Sequence, residues 1–185
     1  MTKDIVNRGA GTEVLTVGHS TRSLEAFIAL LTGHLVSRLI DVRTVPRSRH
    51  NPQFNRDTLP TALDAVGIGY EHAAGLGGFR ATHPDSLNMG WRNTSVRRFA
   101  DYMQTPEFAE NLSRLIERAR SDRIALMCAE AVPWRCHRSL IADALVAHGV
   151  RAEEITSATR LQVHKLTPFA KVDGATITYP PPPAS

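Results

Sequence analysis

One short segment of this chain concentrates the residue types that can do chemistry. Residues 128–138 read CAEAVPWRCHR and hold both cysteines, an acid, a histidine and two arginines. The apolar run 124–127 before the segment predicts a buried strand, and the amphipathic run 140–148 after it predicts a helix that ends at Gly149. Because ligands of open α/β sheets bind where the strands end, this segment marks a candidate site.

Cys136 is the candidate nucleophile or redox thiol. We expect it in the first turn of the following helix, where the helix dipole and the adjacent cationic side chains lower the pKa of a thiol. A small buried hydrophobic residue is the alternative role. Cys128, at the end of an apolar strand, is expected to be buried. The free backbone N–H groups of the turn, together with Arg138, also suit an anion.

Zinc is a further alternative for this region. The side chains of suitable type are Cys128, Cys136, His137 and His19. The spacing Cys-x7-Cys-His matches no familiar zinc motif, and an adjacent cysteine and histidine rarely reach one metal together. We therefore assign no metal ligand and no cofactor, and keep zinc as the minor interpretation.

Two other predicted strands also end in polar residues. The first is followed by His19 and Ser20. The second contains Asp41 and is followed by Arg43. Because the carboxyl ends of parallel strands lie at one edge of a sheet, all three strand ends are expected to contribute to one cleft.

The candidate residues form two groups. Proton transfer or nucleophilic attack is assigned to Cys136, His19, Asp41 and Glu130. Ligand or anion binding is assigned to Ser20, Arg43, Arg47, Gly77, Gly78, Arg80, Cys128, His137 and Arg138. The two glycines and Arg80 belong to the segment 73–93, which has no helical or strand period and is either functional or contains a missed element.

The segment 43–56 is strongly basic, with four arginines and no acid. Its prolines favour an extended backbone, and Phe54 could either stack on a base or pack inside. Phosphate contacts to a nucleotide or a nucleic acid are one interpretation, and a solvated surface loop is the other. The excess of arginine over lysine in the whole chain, 19 to 3, does not decide between them, because genomic bias produces the same excess.

Predicted strands alternate with predicted helices along the chain. This order predicts the α/β class: a single domain with a mainly parallel sheet flanked by helices, in a three-layer, Rossmann-like arrangement. The predicted strands are 14–17, 39–42, 68–71, 124–127 and one ending near 155; the predicted helices are 23–31, 57–66, 94–103, 105–119 and 137–148. We expect a flexible N-terminus at 1–13, the domain at 14–179 and a proline-rich tail at 180–185.

The composition limits the class of protein further. Hydrophobic residues make up 42% of the 185 residues, which is enough for one folded domain. No apolar run is long enough to span a membrane, and residues 1–12 lack the apolar centre of a signal peptide. We therefore expect a cytoplasmic protein with reduced cysteines. The sequence does not indicate an oligomeric state.

The same motifs, taken in order, carry a family resemblance. They are VGHS at 17–20, DVR at 41–43, GIGY at 67–70, LGG at 76–78, FADYM at 99–103, MCAE at 127–130, CHR at 136–138, LTPF at 166–169 and TYP at 178–180. Together they resemble the family called domain of unknown function 488. One departure is the sequence VRR at 96–98, where the pattern leads us to expect an aromatic residue and a glycine. The resemblance implies a small prokaryotic α/β domain and no particular activity.

Three hypotheses about function follow from these residues. The first is an α/β protein that binds a phosphorylated or nucleotide-like ligand in an arginine-rich cleft, with thiol-based catalysis at Cys136 as an option. The second is a non-catalytic module that binds nucleic acid, in DNA repair or RNA handling, whose affinity falls steeply with salt. The third is a zinc-binding or structural protein.

Overall fold

The computed structural model describes residues 11–185, and a six-stranded sheet forms its centre. The strands of the sheet are β1 (Glu13–Gly18), β2 (Arg38–Asp41), β3 (Gly69–His72), β4 (Ile124–Cys128), β5 (Arg151–Ser157) and β6 (Arg160–Val163). Their order is β3-β2-β4-β1-β5-β6. The first five strands are parallel, and β6 runs antiparallel to β5. The predicted α/β class with a mainly parallel sheet is confirmed.

Five helices connect the strands, and side-chain caps determine where three of them start. They are α1 (Leu24–Gly33), α2 (Leu59–Asp64), α3 (Thr94–Tyr102), α4 (Pro106–Ala119) and α5 (Arg138–Ala147). The hydroxyl groups of Ser23 and Thr105 accept backbone N–H groups at the starts of α1 and α4, as the sequence predicts. The cap of α3 is Asn93, directly before the predicted start of this helix at residue 94, because its side-chain oxygen accepts two N–H groups of the first turn.

Two hydrophobic cores cover the two faces of the sheet. Alternate residues of β4 point to opposite faces, so that Leu126 joins one core and Met127 joins the other. Helices α3, α4 and α5 pack on the face of Leu126, and α1 and α2 pack on the face of Met127. The β4 strand, buried along its whole length, reads as a continuous apolar run for this reason.

Two antiparallel elements of the structure are absent from the sequence prediction. One is β6, and the other is a hairpin of β7 (Lys171–Asp173) and β8 (Thr176–Thr178). The hairpin leads Tyr179 into the core, where its hydroxyl donates to Asp143 at 2.8 Å. In the aperiodic segment 73–93, the buried side chain of Asn88 accepts the Tyr179 N–H at 2.9 Å. The segment is therefore a packed loop that includes a short 3-10 turn, Ala74–Leu76.

The sequence predicts a flexible N-terminus and a proline-rich tail. The predicted flexible segment 1–13 lies outside the described residues except for its last three, and Glu13 already belongs to β1. Residues 180–185 have no regular secondary structure. Within residues 11–185, no helix has the length and apolar character needed to cross a membrane.

Candidate functional site

Three neighbouring strands end at one edge of the sheet and bring their polar residues together. Strand β4 lies between β2 and β1, and its Cys128 pairs in register with Gly18 of β1. The backbone N–H of His19 donates to the Cys128 carbonyl at 3.0 Å, and that of Val42 donates to the Met127 carbonyl at 3.0 Å. The order of the strands, which the sequence does not reveal, thus puts the segments after β1 and β2 on either side of Cys128.

A cavity of about 400 Å³ opens at this edge, and we call it the strand-end cavity. Its lining includes eight of the predicted site residues: His19, Arg43, Arg47, Gly78, Cys128, Glu130, Cys136 and His137. Five predicted site residues do not line it: Ser20, Asp41, Gly77, Arg80 and Arg138. The remaining lining residues come mostly from the loops after β2 and β4 and from the start of α3.

Asp41 and Arg43 form a closed ion pair beneath the cavity. Both are buried, and the guanidinium binds the carboxylate through Nε at 2.9 Å and Nη2 at 2.7 Å. The Tyr70 hydroxyl donates to the same carboxylate at 2.6 Å, and burial together with this bond raises the pKa of Tyr70. Arg43 Nη2 also donates to the Phe54 carbonyl at 2.6 Å. These contacts use the carboxylate and much of the guanidinium within the protein, so the pair mainly supports the wall of the cavity.

His19 is held as a neutral imidazole. Its Nδ1 lies 2.7 Å from the Ser20 carbonyl, which can only accept, so Nδ1 carries the proton. Its Nε2 then accepts from Arg43 Nη1 at 3.4 Å. The ring stacks on Phe54 with centroids 4.3 Å apart, and burial lowers the pKa of His19. Phe54 is completely buried, so of the two roles considered for it, packing is the one observed.

The two thiols form a coupled pair at the inner end of the cavity. A hydrogen bond from Cys136 is the main cause that lowers the pKa of Cys128, and Arg138 lowers it further while burial acts in the opposite direction. The Cys128–Cys136 hydrogen bond and burial both raise the pKa of Cys136. Of the two thiols, Cys128 therefore has the lower pKa, whereas the sequence predicts the lower pKa for Cys136.

The reason for this reversal is the backbone of the segment after β4. Residues Pro133–Arg135 form a 3-10 turn, and Cys136 after them has an extended conformation. Helix α5 begins at Arg138, so Cys136 precedes the helix instead of lying in its first turn. The Arg138 backbone N–H still reaches the Cys136 sulfur, at 3.5 Å. The full guanidinium charge of Arg138, in contrast, faces Cys128.

Arg138 is a completely buried cation that borders the strand ends without lining the cavity. Its Nη1 donates to the Cys128 sulfur and to the Glu130 carbonyl, both at 3.0 Å. Its Nη2 donates to the carboxylate of Glu154 at 2.9 Å. A Cβ on Gly18 would lie 1.9 Å from the Glu130 carbonyl oxygen, so only glycine permits this approach of β1. Both terminal nitrogens of Arg138 are therefore bonded within the protein, and its ion pair is with Glu154.

His137 is a neutral base next to Cys136. Its Nε2 lies 2.9 Å from the Val42 carbonyl and must donate to it, so the unprotonated Nδ1 faces the Cys136 sulfur at 3.5 Å. Burial lowers the pKa of His137 to about 4. A Cβ on Gly78 would lie 2.8 Å from this Nδ1, so the glycine leaves room for the imidazole at the cavity wall.

Glu130 and Ser20 shape the loops around the cavity. The Glu130 carboxylate accepts the Val132 N–H at 3.2 Å and lines the cavity, which makes it the acid closest to any bound ligand. Ser20 has a φ of 50°, a left-handed conformation that is unusual for serine. In that conformation its N–H donates to the Ala129 carbonyl at 3.1 Å. Ser20 thus fixes the loop after β4 and does not reach the cavity.

The predicted cationic ligands Arg47 and Arg80 occupy different places. Arg47 is exposed at the cavity. Arg80 donates to the carbonyls of Gly77 and Ala74, each at 3.0 Å, and its guanidinium lies 3.6 Å from the centre of the Tyr102 ring. Arg80 and Gly77 therefore stabilise the loop beside the 3-10 turn and lie outside the cavity.

Two residues at this site, Arg135 and Glu154, are not among the site residues predicted from sequence. Arg135 lines the strand-end cavity, and its position next to Cys136 is the signal that could have placed it there. Glu154 in β5 pairs with Arg138, which follows from the neighbouring positions of β1 and β5. An acid next to the buried Ile155 in a predicted strand was the available signal for Glu154.

Metal binding finds no support in this geometry. Among residues 11–185, no group of three or more histidine, cysteine, aspartate and glutamate side chains is arranged to hold a metal ion. The four side chains of suitable type considered above are instead bound to carbonyls, to Arg43, to Arg138 or to one another.

Comparison with known proteins gives one match. The model of the family described as "Domain of unknown function DUF488" matches residues 23–145, which is about two thirds of the chain. No curated protein and no solved structure is significantly similar to it. The matched residues include β2, β4, both cysteines and the first turns of α5, and the ordered motifs extend beyond them on both sides. The chain therefore belongs to the DUF488 family.

Proposed function

We propose that this protein binds a small phosphorylated molecule in the strand-end cavity and that the thiolate of Cys128 attacks its phosphorus. An S–P bond then forms while the P–O bond to the alcohol leaving group breaks, and the leaving oxygen takes up a proton from water. The observation that carries the proposal is the position of the Cys128 sulfur, which lines the cavity 3.0 Å from a fully buried guanidinium. A thiolate, not a thiol, is the nucleophilic form of cysteine, and a cation beside it favours that form.

The arginines of the cavity supply the affinity for an anion. Arg47 and Arg135 both line the cavity, and neither forms an ion pair with any residue in the described part of the chain. Guanidinium groups bind phosphate oxygens in bidentate geometry. Arg43 and Arg138, in contrast, are already paired with carboxylates.

The other candidate catalytic groups take supporting parts in this proposal. Cys136 keeps its proton, and the unprotonated Nδ1 of His137 lies 3.5 Å from its sulfur as the acceptor. Glu130 is the candidate for proton transfer to or from the ligand, because its carboxylate lines the cavity. His19 and Asp41 position the wall through Arg43. A reducing compartment such as the cytoplasm would keep both thiols free, as the structure has them.

The first test is the rate of alkylation by iodoacetamide as a function of pH. In Cys136→Ser, we expect a midpoint below the ordinary cysteine value of about 8.5, because Arg138 Nη1 still donates to the Cys128 sulfur. In Cys128→Ser, we expect Cys136 to react with a higher midpoint than Cys128 does in Cys136→Ser, because no guanidinium nitrogen donates to the Cys136 sulfur. The reverse order, or no reaction of Cys128, would contradict the proposed nucleophile.

The second test asks whether the cavity binds an anion. Inorganic phosphate should slow the alkylation of Cys128 in the native protein. The double variant Arg47→Ala and Arg135→Ala should lose this protection. Arg49→Ala is the matched control, because Arg49 lies in the same loop as Arg47 but does not line the cavity. Equal protection in the double variant and the control would exclude the anion site.

Nucleic acid is the second candidate ligand, and the exposed loop after β2 favours it. Arg47, Arg49 and Arg56 are exposed on this loop. Phe79, which is 75% exposed, lines the same cavity beside the loop, because its backbone N–H donates to the Thr44 hydroxyl at 3.0 Å. If these groups contact the phosphates of a nucleic acid, the protein binds a single-stranded oligonucleotide. The logarithm of its binding constant then falls linearly with the logarithm of the salt concentration. An affinity independent of salt would exclude this function.

A further inference from the structure

A second and larger cavity, of about 580 Å³, lies on the other side of the loop between β4 and α5. We call it the tryptophan cavity, because both tryptophans of the chain line it. The lining of the tryptophan cavity includes Arg22, Trp91, Trp134, Gln162, Lys165 and Phe169. In the loop, Glu130 and Arg135 line the strand-end cavity, whereas Pro133 and Trp134 line the tryptophan cavity. The volume suits a ligand of the size of a nucleotide.

The tryptophan cavity has an aromatic wall with one open ring. Trp91 packs edge-on against Phe169 with centroids 4.9 Å apart, and it also contacts Tyr179 at 5.5 Å. Trp134 stacks on no ring of the described residues and is 70% exposed. An indole face of this kind offers a planar ligand a surface for stacking.

The charges around the tryptophan cavity leave a surplus of positive potential. Glu154 is neutralised by Arg138 at 2.9 Å. Arg22 and Lys165 also line the cavity, and neither forms an ion pair with a residue in 11–185. An anionic group of a ligand would therefore find two cations and no competing free carboxylate.

Buried donors without partners point in the same direction. Three buried side-chain nitrogens in the described chain lack a hydrogen-bond partner, and two of them, Trp91 Nε1 and Arg138 Nε, belong to residues that line the tryptophan cavity. An unpaired buried donor is costly, and its N–H dipole adds to the positive potential around it. Both donors favour a ligand rich in acceptor oxygens.

We propose that the tryptophan cavity binds a purine nucleoside 5′-monophosphate, with the base stacked on Trp134 and the phosphate held by Arg22 and Lys165. Gln162 at the same wall has both a donor and an acceptor for an edge of the base. This site uses none of the thiols, although Arg138 lines it and also contacts the Cys128 sulfur.

The tryptophan cavity carries its own reporter. Since the chain has two tryptophans and both line the cavity, a change in intrinsic tryptophan fluorescence arises there. We would titrate the full chain with AMP and GMP, and with adenosine and ribose 5-phosphate as fragments. The nucleotides should quench the fluorescence in a saturable way, and each fragment should bind at least about tenfold more weakly, because it lacks either the phosphate or the ring. No quenching by AMP or GMP, or equal binding of ribose 5-phosphate, would overturn the proposal.

Variants at Trp134 and Lys165 test the contacts to the base and to the phosphate separately. Trp134→Ala should weaken binding of AMP by about tenfold or more, with Trp91 as the remaining reporter, and Trp134→Phe should restore most of the loss. Lys165→Ala should weaken AMP but leave adenosine unchanged. Lys171→Ala, an exposed lysine outside the cavity, is the matched control for charge. The same loss in both lysine variants would mean that only net charge matters, and it would overturn the site.

The double variant Arg47→Ala and Arg135→Ala distinguishes this site from the strand-end cavity. It should keep the fluorescence titration with AMP unchanged, even though it loses the protection of Cys128 by phosphate. If AMP binding disappears in this variant, the nucleotide occupies the strand-end cavity, and the proposal for the tryptophan cavity is wrong.

Discussion

The strand-end cavity and the tryptophan cavity share the loop between β4 and α5, but they are built in different ways. The first is formed where three parallel strands end, and its buried charges are paired with one another, as in Asp41 with Arg43. The second combines β5, β6, the segment that follows β6 and exposed aromatic residues. The first gains rigidity from its internal bonds, and the second keeps cations and rings available. Arg138 is the residue that connects the two.

Replacing this shared cation should have the largest effect. In Arg138→Met, the Glu154 carboxylate loses its buried counter-charge and the Cys128 sulfur loses a donor, so we expect the free energy of unfolding to fall by about 3–5 kcal/mol. Urea unfolding measures the change. Arg114→Met is the control, because Arg114 pairs with Glu110 on the exposed face of α4 and should cost at most about 0.5 kcal/mol.

The same variant tests whether the two cavities are connected. Arg138→Met should raise the pKa of Cys128, measured by alkylation, and should also change the tryptophan fluorescence. If only one of these two readouts changes in the folded variant, then Arg138 serves one cavity, and the proposed connection fails.

Breaking the ion pair beneath the strand-end cavity should have the next largest effect. Asp41→Asn leaves the Arg43 guanidinium buried without its counter-charge, which should destabilise the fold by about 2–4 kcal/mol in urea unfolding. Tyr70→Phe removes only the hydroxyl that donates to Asp41 and should cost about 1 kcal/mol. Nucleotide binding in the tryptophan cavity should persist in both folded variants. Equal losses in the two variants would show that the charge of Asp41 is not what matters.

The pH dependence of stability should reveal the neutral histidine at the strand ends. His137 has a pKa of about 4 in the folded chain and an ordinary value of 6.5 when unfolded. The unfolded chain therefore takes up the proton first as pH falls. The stabilisation is complete above about pH 6.5 and is lost between there and about pH 4, by at most about 3 kcal/mol.

Variants at two histidines check this assignment. His137→Asn should flatten the fall in stability between pH 6.5 and 4, measured by urea unfolding at each pH. Part of the slope should remain, because burial also lowers the pKa of His19. His83→Asn, at an exposed position of the loop before α3, should leave the slope unchanged. A slope that is the same in both variants would remove His137 as its source.

The strand ends could be predicted from sequence because their chemistry follows directly after apolar runs. His19, Asp41 and Cys128 each lie at or just after a strand, and period and polarity are enough to place them there. What the sequence cannot supply is the pairing of these groups. The bond of Arg138 to Glu154 depends on the order of the strands, and the local bond of Arg43 to Asp41 depends on where a long side chain turns.

The tryptophan cavity is harder to predict for a related reason. It needs the antiparallel strand β6 and the irregular segment after it, neither of which has a clear period. Trp91 and Trp134 are far apart in the chain, and only the fold brings them to one cavity. The sequence also does not reveal which thiol faces the Arg138 guanidinium, because that depends on how the segment after β4 folds.

The smallest effect on stability should come from Trp134, and this makes it the sharpest test of the difference between the cavities. Its side chain is 70% exposed, so Trp134→Ala should change the free energy of unfolding by less than about 0.5 kcal/mol in urea. If Trp134→Ala weakens nucleotide binding and leaves stability almost unchanged, the Trp134 side chain serves binding and not folding. If instead Trp134→Ala destabilises the chain as much as Asp41→Asn, the exposed ring is part of the core, and the tryptophan cavity is as rigid as the strand-end cavity.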